Sequence, residues 1–281
     1  MNLYGLMITK DDGEVFGDWC RDQLSLYDAV ICLDGSADEA TARVAREFSQ
    51  RLVYFHESHF YLPYKTDHGL RRVVHQEIVR RFGCDNWIMC CHADEFCYHD
   101  PRKAAAKAEQ EGADWVGWFS LHFYPHPDDL AQLPALRRLP VPDRVRHYHW
   151  SYRGSGIPWI ESRLYHNNRQ VTWDRSTHSS TLPHGLARQA GFHPIVRHFK
   201  AYSLEPEDYD SDGKSAFYRT RWMGLPVRTG VPFPVKSRDD LFVSSIPDYD
   251  RCDYFDGTIR HPWNMGEDFR TEVRLPMQAG Q

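Results

Sequence analysis

The chain has 281 residues and 33.0 kDa, enough to bury one large α/β core with insertions or two small ones. Its 34 basic and 39 acidic residues leave a net charge of −5, which argues against a general nucleic-acid binder. No stretch reaches the roughly 18 apolar residues of a spanning helix, and the first ten residues lack the basic region and cleavage site of a signal peptide. The expectation is a cytoplasmic protein without a transmembrane segment, with a peripheral station at the inner membrane face as the other option.

Residues 3–8 form an apolar run ending in Thr9-Lys10-Asp11-Asp12-Gly13, which predicts a buried first strand opening on a polar turn. Val15, Phe16, Trp19, Cys20 and Leu24 then recur at helical spacing. Residues 28–33 predict a second strand, and Asp34-Gly35-Ser36-Ala37-Asp38 a loop whose Asp38 caps a helix over 39–49. A third strand is expected over 51–56. This alternation means βαβ units, a parallel sheet and right-handed crossovers. Thr66 or Asp67 is placed to cap the next helix, whose Leu70, Val73, Val74, Ile78 and Phe82 share one face before Gly83 ends it.

Residues 87–91 are a short apolar run that delivers His92, Asp94 and Glu95 to its C-terminal edge, the edge at which open α/β sheets bind ligands. Carboxylates there need water, a partner or a cation. Two of them beside one imidazole suit Mg²⁺ or Mn²⁺ better than a structural zinc, and a solvated loop is the plain alternative. Cys90 and Cys91 are adjacent in this strand, so they are expected on opposite faces as small buried hydrophobes, and all seven cysteines as reduced thiols. A helix over 103–111 ending at Gly112 and a fifth strand over 115–121 complete an α/β half, 1–122.

Beyond it the texture changes. Prolines at 125, 127, 134, 140, 142 and 158 break any long element, and a hairpin is expected from 160–166 and 170–173 around Asn167-Asn168. Residues 194–199 are another apolar run carrying His198, residues 205–221 read as helical, and 222–281 as an irregular extension. The division is therefore 1–122, then 123–221 within the same domain, then 222–281. Nine Trp and fifteen Tyr can be core or can be stacking platforms for sugars.

Lys10-Asp11-Asp12 after the first strand, Asp34-Gly35-Ser36-Ala37-Asp38-Glu39-Ala40-Thr41 after the second, and residues 87–96 with Asp94-Glu95-Phe96 resemble the GT-A glycosyltransferases of the family 2 type. In that family the second strand ends in Asp-Gly-Ser-x-Asp-x-x-Thr and the fourth in Asp-x-Asp, often as Asp-Ala-Asp-Glu-Phe. The match covers roughly the first 120 residues in order and spacing. His198-Phe199-Lys200-Ala201-Tyr202 is similar to the late His-aromatic stretch that completes the metal site in such relatives.

What the resemblance implies is a GT-A (Rossmann-like) nucleotide-diphospho-sugar transferase fold. It has a mostly parallel central sheet, helices on both faces and an irregular acceptor-side C-terminal half. The implied activity is that of a hexosyltransferase. A sugar passes from a UDP- or GDP-type donor to a glycan, lipid-linked or small-molecule acceptor, as in polysaccharide biosynthesis, with inversion and with Mn²⁺ or Mg²⁺ on the diphosphate. Asp34 would contact the nucleoside, with Asp11, Lys65, Arg71, His92 and Ala93 also on the donor side. Asp94 would be the main metal ligand and His198 a late one. Asp174 would be the general base, with His178 next and Glu161 behind them. The departure from the pattern is His92 in place of the first Asp, which fits either a histidine ligand or an altered nucleotide site. Two alternatives stand beside this reading. A sugar-phosphate nucleotidyltransferase usually wants a Gly-rich basic loop where this chain has Lys10-Asp11-Asp12-Gly13, and a catalytically degenerate carbohydrate-binding protein on the same fold is kept open by His92.

Overall fold

In the computed structural model of the chain, residues 1–37, 39–56, 69–123, 133–136, 138–144, 148–149, 160–173, 182–199, 258–259 and 273–274 are described. The chain order runs β1 (Leu3–Thr9), α1 (Gly13–Gln23), β2 (Ala29–Asp34), α2 (Ala40–Glu47), β3 (Leu52–His56), α3 (Leu70–Phe82), β4 (Asn86–Cys91), β5 (Glu95–Cys97), α4 (Pro101–Glu111) and β6 (Trp115–Phe123). After two short helical turns come β7 (Tyr148–His149), β8 (Ile160–Asn167) and β9 (Ile195–Phe199), and β10 (Thr258–Ile259) pairs separately with β11 (Val273–Arg274).

The main sheet has the order β3-β2-β1-β4-β8-β6-β9-β5, with β7 paired to β6. Strands β3, β2, β1 and β4 are mutually parallel. Beyond β4 the sheet is mixed: β8 runs antiparallel to β4 and β6, β9 parallel to β6, and β5 antiparallel to β9. The chain between β4 and β5 forces this sheet to curl. Cys91 to Glu95 is four Cα steps, a reach of at most about 15 Å, yet four strand spacings in a flat sheet would separate β4 from β5 by about 19 Å. The far edge therefore folds back towards the end of β4.

Both faces of the inner parallel strands are covered, and β1, β2 and β4 show it as near-continuous burial with alternating direction, while the edge strand β3 is partly exposed. Leu3, Met7, Val30, Cys32, Trp87, Met89 and Cys91 pack with Val15, Phe16 and Trp19 of α1, Ala45 of α2 and Ala104, Ala105 and Ala108 of α4. Tyr4, Leu6, Ile31, Leu33, Ile88 and Cys90 pack on the other face with Val74 and Ile78 of α3. Cys90 and Cys91 thus fall in different cores, as their adjacency in a strand predicts. The six described cysteines are free thiols.

Helix ends follow from local chemistry. Asp100 caps α4 by accepting the Arg102 N–H, Pro101 stands in its first turn, and Gly112 closes it at φ +66°. Gly83 closes α3 at φ +76°. Three expectations change. α2 begins at Ala40 with Glu39 at its N-cap and ends at Glu47, while Asp38 lies outside the described residues. α3 begins after Gly69 without a side-chain cap, and Thr66 and Asp67 also lie outside them. The hairpin over 160–173 is absent: β8 pairs with β4 and β6, and Thr172 instead bridges His184. An antiparallel strand inserted between two strands already in place has both ladders filled, so it leaves no edge for a hairpin partner. The predicted helix over 205–221 lies outside the described residues.

Candidate active site

Two loops leave the C-terminal ends of β2 and β4, which flank β1 in the sheet. They differ in what their polar groups do.

The loop after β2 is closed on itself. Asp34 is fully buried, and its Oδ1 accepts the Ser36 backbone N–H at 2.9 Å and the Ser36 hydroxyl at 2.5 Å. Its Oδ2 accepts the Tyr54 hydroxyl at 2.5 Å. Ser36 Oγ in turn accepts the Asp11 N–H at 2.8 Å and lies 3.4 Å from Thr41 Oγ1. Asp11 stands in the left-handed region at φ +57°, a conformation Asp tolerates better than most residues, and accepts the Ala37 N–H at 3.3 Å. The Asp, Ser and Thr of the Asp-Gly-Ser-x-Asp-x-x-Thr pattern therefore tie the first two loops together. Tyr54, which sequence reasoning missed, completes the set from β3.

The loop after β4 is the opposite. Ala93 turns its side chain into the core, which leaves only its backbone to a ligand. Asp94 remains a quarter open to solvent, and its Oδ2 lies 2.9 Å from His198 Nε2. The backbone fixes that meeting, since Glu95 stands opposite His198 in the β5–β9 ladder and Phe199 N–H donates to Asp94 O at 2.8 Å. The other side of the His198 ring, Nδ1, lies 3.2 Å from Glu95 Oε1. Glu95 is itself buried and accepts Arg163 Nη2 at 2.5 Å, and Arg163 also pairs with Glu161. Burial alone would raise the Glu95 pKa, but the Arg163 guanidinium, helped by His92 and His198, holds it well below the usual carboxylate range.

His92 has a third of its side chain exposed, and the rest of it is packed against the protein. That desolvation lowers its pKa to about 4, with Glu95 opposing and the cations of Arg163 and Arg71 adding to the fall. Its Nε2 lies 3.1 Å from Arg71 Nη2. Arginine only donates, so Nε2 must be the acceptor and the proton sits on Nδ1 of a neutral ring. Arg71 is buried at the start of α3, 5.6 Å over the Trp173 ring. The geometry therefore occupies the one lone pair that His92 could offer a metal.

Ligand atoms of His92, Asp94 and Glu95 lie within 4.8 Å of one another, but the contacts with Arg71 and Arg163 engage His92 and Glu95, so the donors left for a hard divalent ion are Asp94 and His198. Two donors 2.9 Å apart, like Asp94 Oδ2 and His198 Nε2, have the spacing of neighbouring ligands on an octahedral ion with bonds of about 2.1 Å. The residues expected to act together thus divide: Asp94, His198, His92 and Arg71 converge, Asp11 and Asp34 form the adjoining loop, and Lys65, Asp174 and His178 lie outside the described residues. Arg163 was the second residue missed. Its signal was available in Glu161-Ser162-Arg163-Leu164, where period-2 alternation puts two opposite charges on one face of a strand.

No family model and no curated protein matches this chain. Eighty chains among solved structures match. One is a candidate glucose-1-phosphate thymidylyltransferase from Bacillus anthracis in complex with sucrose, aligned over 45% of this chain and 57% of that one at 6% identity and a TM-score of 0.27. The match spans little more than half of that protein's length, and at that score it decides neither fold nor activity. The described residues by themselves form a mixed α/β structure with a curled sheet, parallel through β3-β2-β1-β4, in a Rossmann-like arrangement. No helix among them is long and apolar enough to cross a membrane.

Proposed function

We propose that the protein is a GT-A glycosyltransferase of the family 2 type that moves a sugar from a nucleotide-diphosphate donor, with inversion, to a carbohydrate or lipid-linked acceptor. The observation that supports this reading best is the Asp94–His198 pair, 2.9 Å apart and open to solvent on the Asp94 side. It stands where a parallel sheet presents its ligands, beside the tied Asp11–Ser36–Asp34 loop.

Each residue then has a role that its surroundings allow. Asp94 and His198 hold Mn²⁺ or Mg²⁺, which neutralises charge on the departing diphosphate. Asp34, which accepts from Ser36 and Tyr54, shapes the nucleoside loop and retains acceptor capacity for the nucleoside. Burial, with Arg163 and Arg71 adding to it, keeps His92 neutral, and the Arg71 contact keeps it turned, so that the position the family fills with Asp carries no charge here. Asp174 serves as the general base, with His178 next to it in order of preference.

The test is thermal stability of the chain against nucleoside diphosphates and nucleotide sugars, with Mn²⁺, Mg²⁺ or chelator. At a ligand concentration about 100 times Kd, linkage gives about 2.7 kcal/mol of stabilisation, a readable shift in Tm. The expected result is a Mn²⁺-dependent shift with a uridine or guanosine nucleotide that Asp94→Asn abolishes. A shift that survives Asp94→Asn unchanged would sink the metal role, and no shift with any nucleotide would favour a carbohydrate-binding protein on this fold.

A further inference from the structure

The Asp94–His198 pair has a support built behind it. His198 presents its two ring nitrogens to two different carboxylates: Nε2 is hydrogen-bonded to Asp94 Oδ2 at 2.9 Å, whereas Nδ1 lies 3.2 Å from Glu95 Oε1, within ion-pair distance but off the line of a hydrogen bond. Only one of these nitrogens can offer a lone pair to a cation, and the other then carries the proton. Solvent access decides which. Asp94 is 24% exposed at its side chain whereas Glu95 and Arg163 are each 3% exposed, so an ion enters on the Asp94 side and the Nδ1 edge faces the interior.

The geometry points to Glu95 and Arg163 as positioning residues of the metal centre: Glu95 orients His198 from behind, and Arg163 holds Glu95 in place. The inference rests on the metal role of Asp94 and His198 argued above. Glu95 is near enough to its neighbours to look like a third ligand. Yet its Oε1 already lies 2.5 Å from Arg163 Nη2, and a divalent ion on the same oxygen would stand within a few ångströms of a guanidinium that cannot lose its charge. A carboxylate behind a ligating imidazole fixes its tautomer and ring angle, and removing such a partner weakens metal affinity about 10- to 100-fold. Arg163 is locked between Glu95 and Glu161 on the face of β8, so it cannot swing away when an ion arrives.

The experiment is titration of the full chain with Mn²⁺, alone and with UDP or GDP, following the free ion by electron paramagnetic resonance. Water bound to the ion is counted from deuterium modulation in ²H₂O. Asp94→Asn, a ligand loss, should weaken binding more than 100-fold. Glu95→Gln and Arg163→Lys should weaken it about 10- to 100-fold while leaving the number of bound waters as in wild type. Arg163→Lys keeps the buried positive charge and carries the test if Glu95→Gln fails to fold. Wild-type affinity in both variants overturns the inference. So does an extra bound water in Glu95→Gln, which would make Glu95 a ligand. Absence of Mn²⁺ binding by the wild type under either condition overturns the metal reading of the site, and this inference with it.

Discussion

Strands β1, β2 and β4 carry only apolar and aromatic side chains, glycine and thiols between their end residues, and become polar where they stop. Strands β5, β8 and β9 instead place Glu95, Arg163 and His198 along the strand and still bury them. The parallel part can therefore be stabilised by burial alone. The mixed part needs its charges matched, because each would be costly unpaired. The candidate site lies where the two meet, at the end of β4, and takes a solvent-facing carboxylate from one side and a buried histidine from the other.

The largest effect that could break this contrast is on stability. Glu95→Ala leaves Arg163 buried with one carboxylate partner lost and should cost about 3–5 kcal/mol in urea unfolding. Ile31→Ala in the parallel part should cost about 2–5 kcal/mol through a cavity, with no charge involved. A Glu95→Ala penalty below about 1 kcal/mol would mean that the buried charges are solvated and the two parts are alike. Next in size is Tyr54→Phe, which removes a hydrogen bond to a fully buried carboxylate and should cost about 1.5–3 kcal/mol. An unchanged midpoint there would show that Asp34 is satisfied by Ser36 alone.

The parallel part was legible in the sequence because its signal is local. Apolar runs of five or six residues, Gly83 and Gly112 at helix ends, and polar residues just past each strand suffice to place β1 to β4. The opposite-face placement of Cys90 and Cys91 follows from the strand period alone. The mixed part was not, because its order depends on curling and on an inserted antiparallel strand, and neither leaves a periodic mark. Asn167-Asn168 looked like a hairpin turn, but the partner of β8 is β4, some eighty residues earlier. Asp94 and His198 were identified separately through the resemblance, whereas the Glu95–Arg163–Glu161 chain joins residues about 66 apart in sequence and was invisible until the strands were in place.

A smaller effect should appear in the pH dependence of stability. Burial lowers the pKa of His75, against the opposing bond to Asn167, and burial lowers that of His193, against the Gly117 carbonyl. Both contribute fully above about pH 6.5, the ordinary value. As pH falls below it the unfolded chain takes up protons that the native state refuses, so stability falls until the depressed native values are reached. The slope is at most about 1.4 kcal/mol per pH unit for each histidine. Unfolding of wild type and His75→Gln at pH 7 and pH 5 checks this: the variant should lose less on acidification, and equal losses would remove His75 from the account.

The smallest expected effect sets one residue type in both parts of the sheet. Ser36 Oγ donates to Asp34, accepts from the Asp11 N–H and lies beside Thr41, whereas Ser120 Oγ, 1% exposed on β6, has no hydrogen-bond partner among the described residues. Ser36→Ala should cost about 1–3 kcal/mol because buried partners lose their match. Ser120→Ala removes a hydroxyl that is already unmatched, so it should be neutral within about 0.5 kcal/mol or slightly stabilising. A loss above about 1 kcal/mol at Ser120 would show that its hydroxyl is bonded in solution to an ordered water, which the Trp118 indole N–H two residues away on the same strand, also without a hydrogen-bond partner among the described residues, could share. The interior of the mixed part would then be wet, and its buried charges would be matched partly by water instead of by each other.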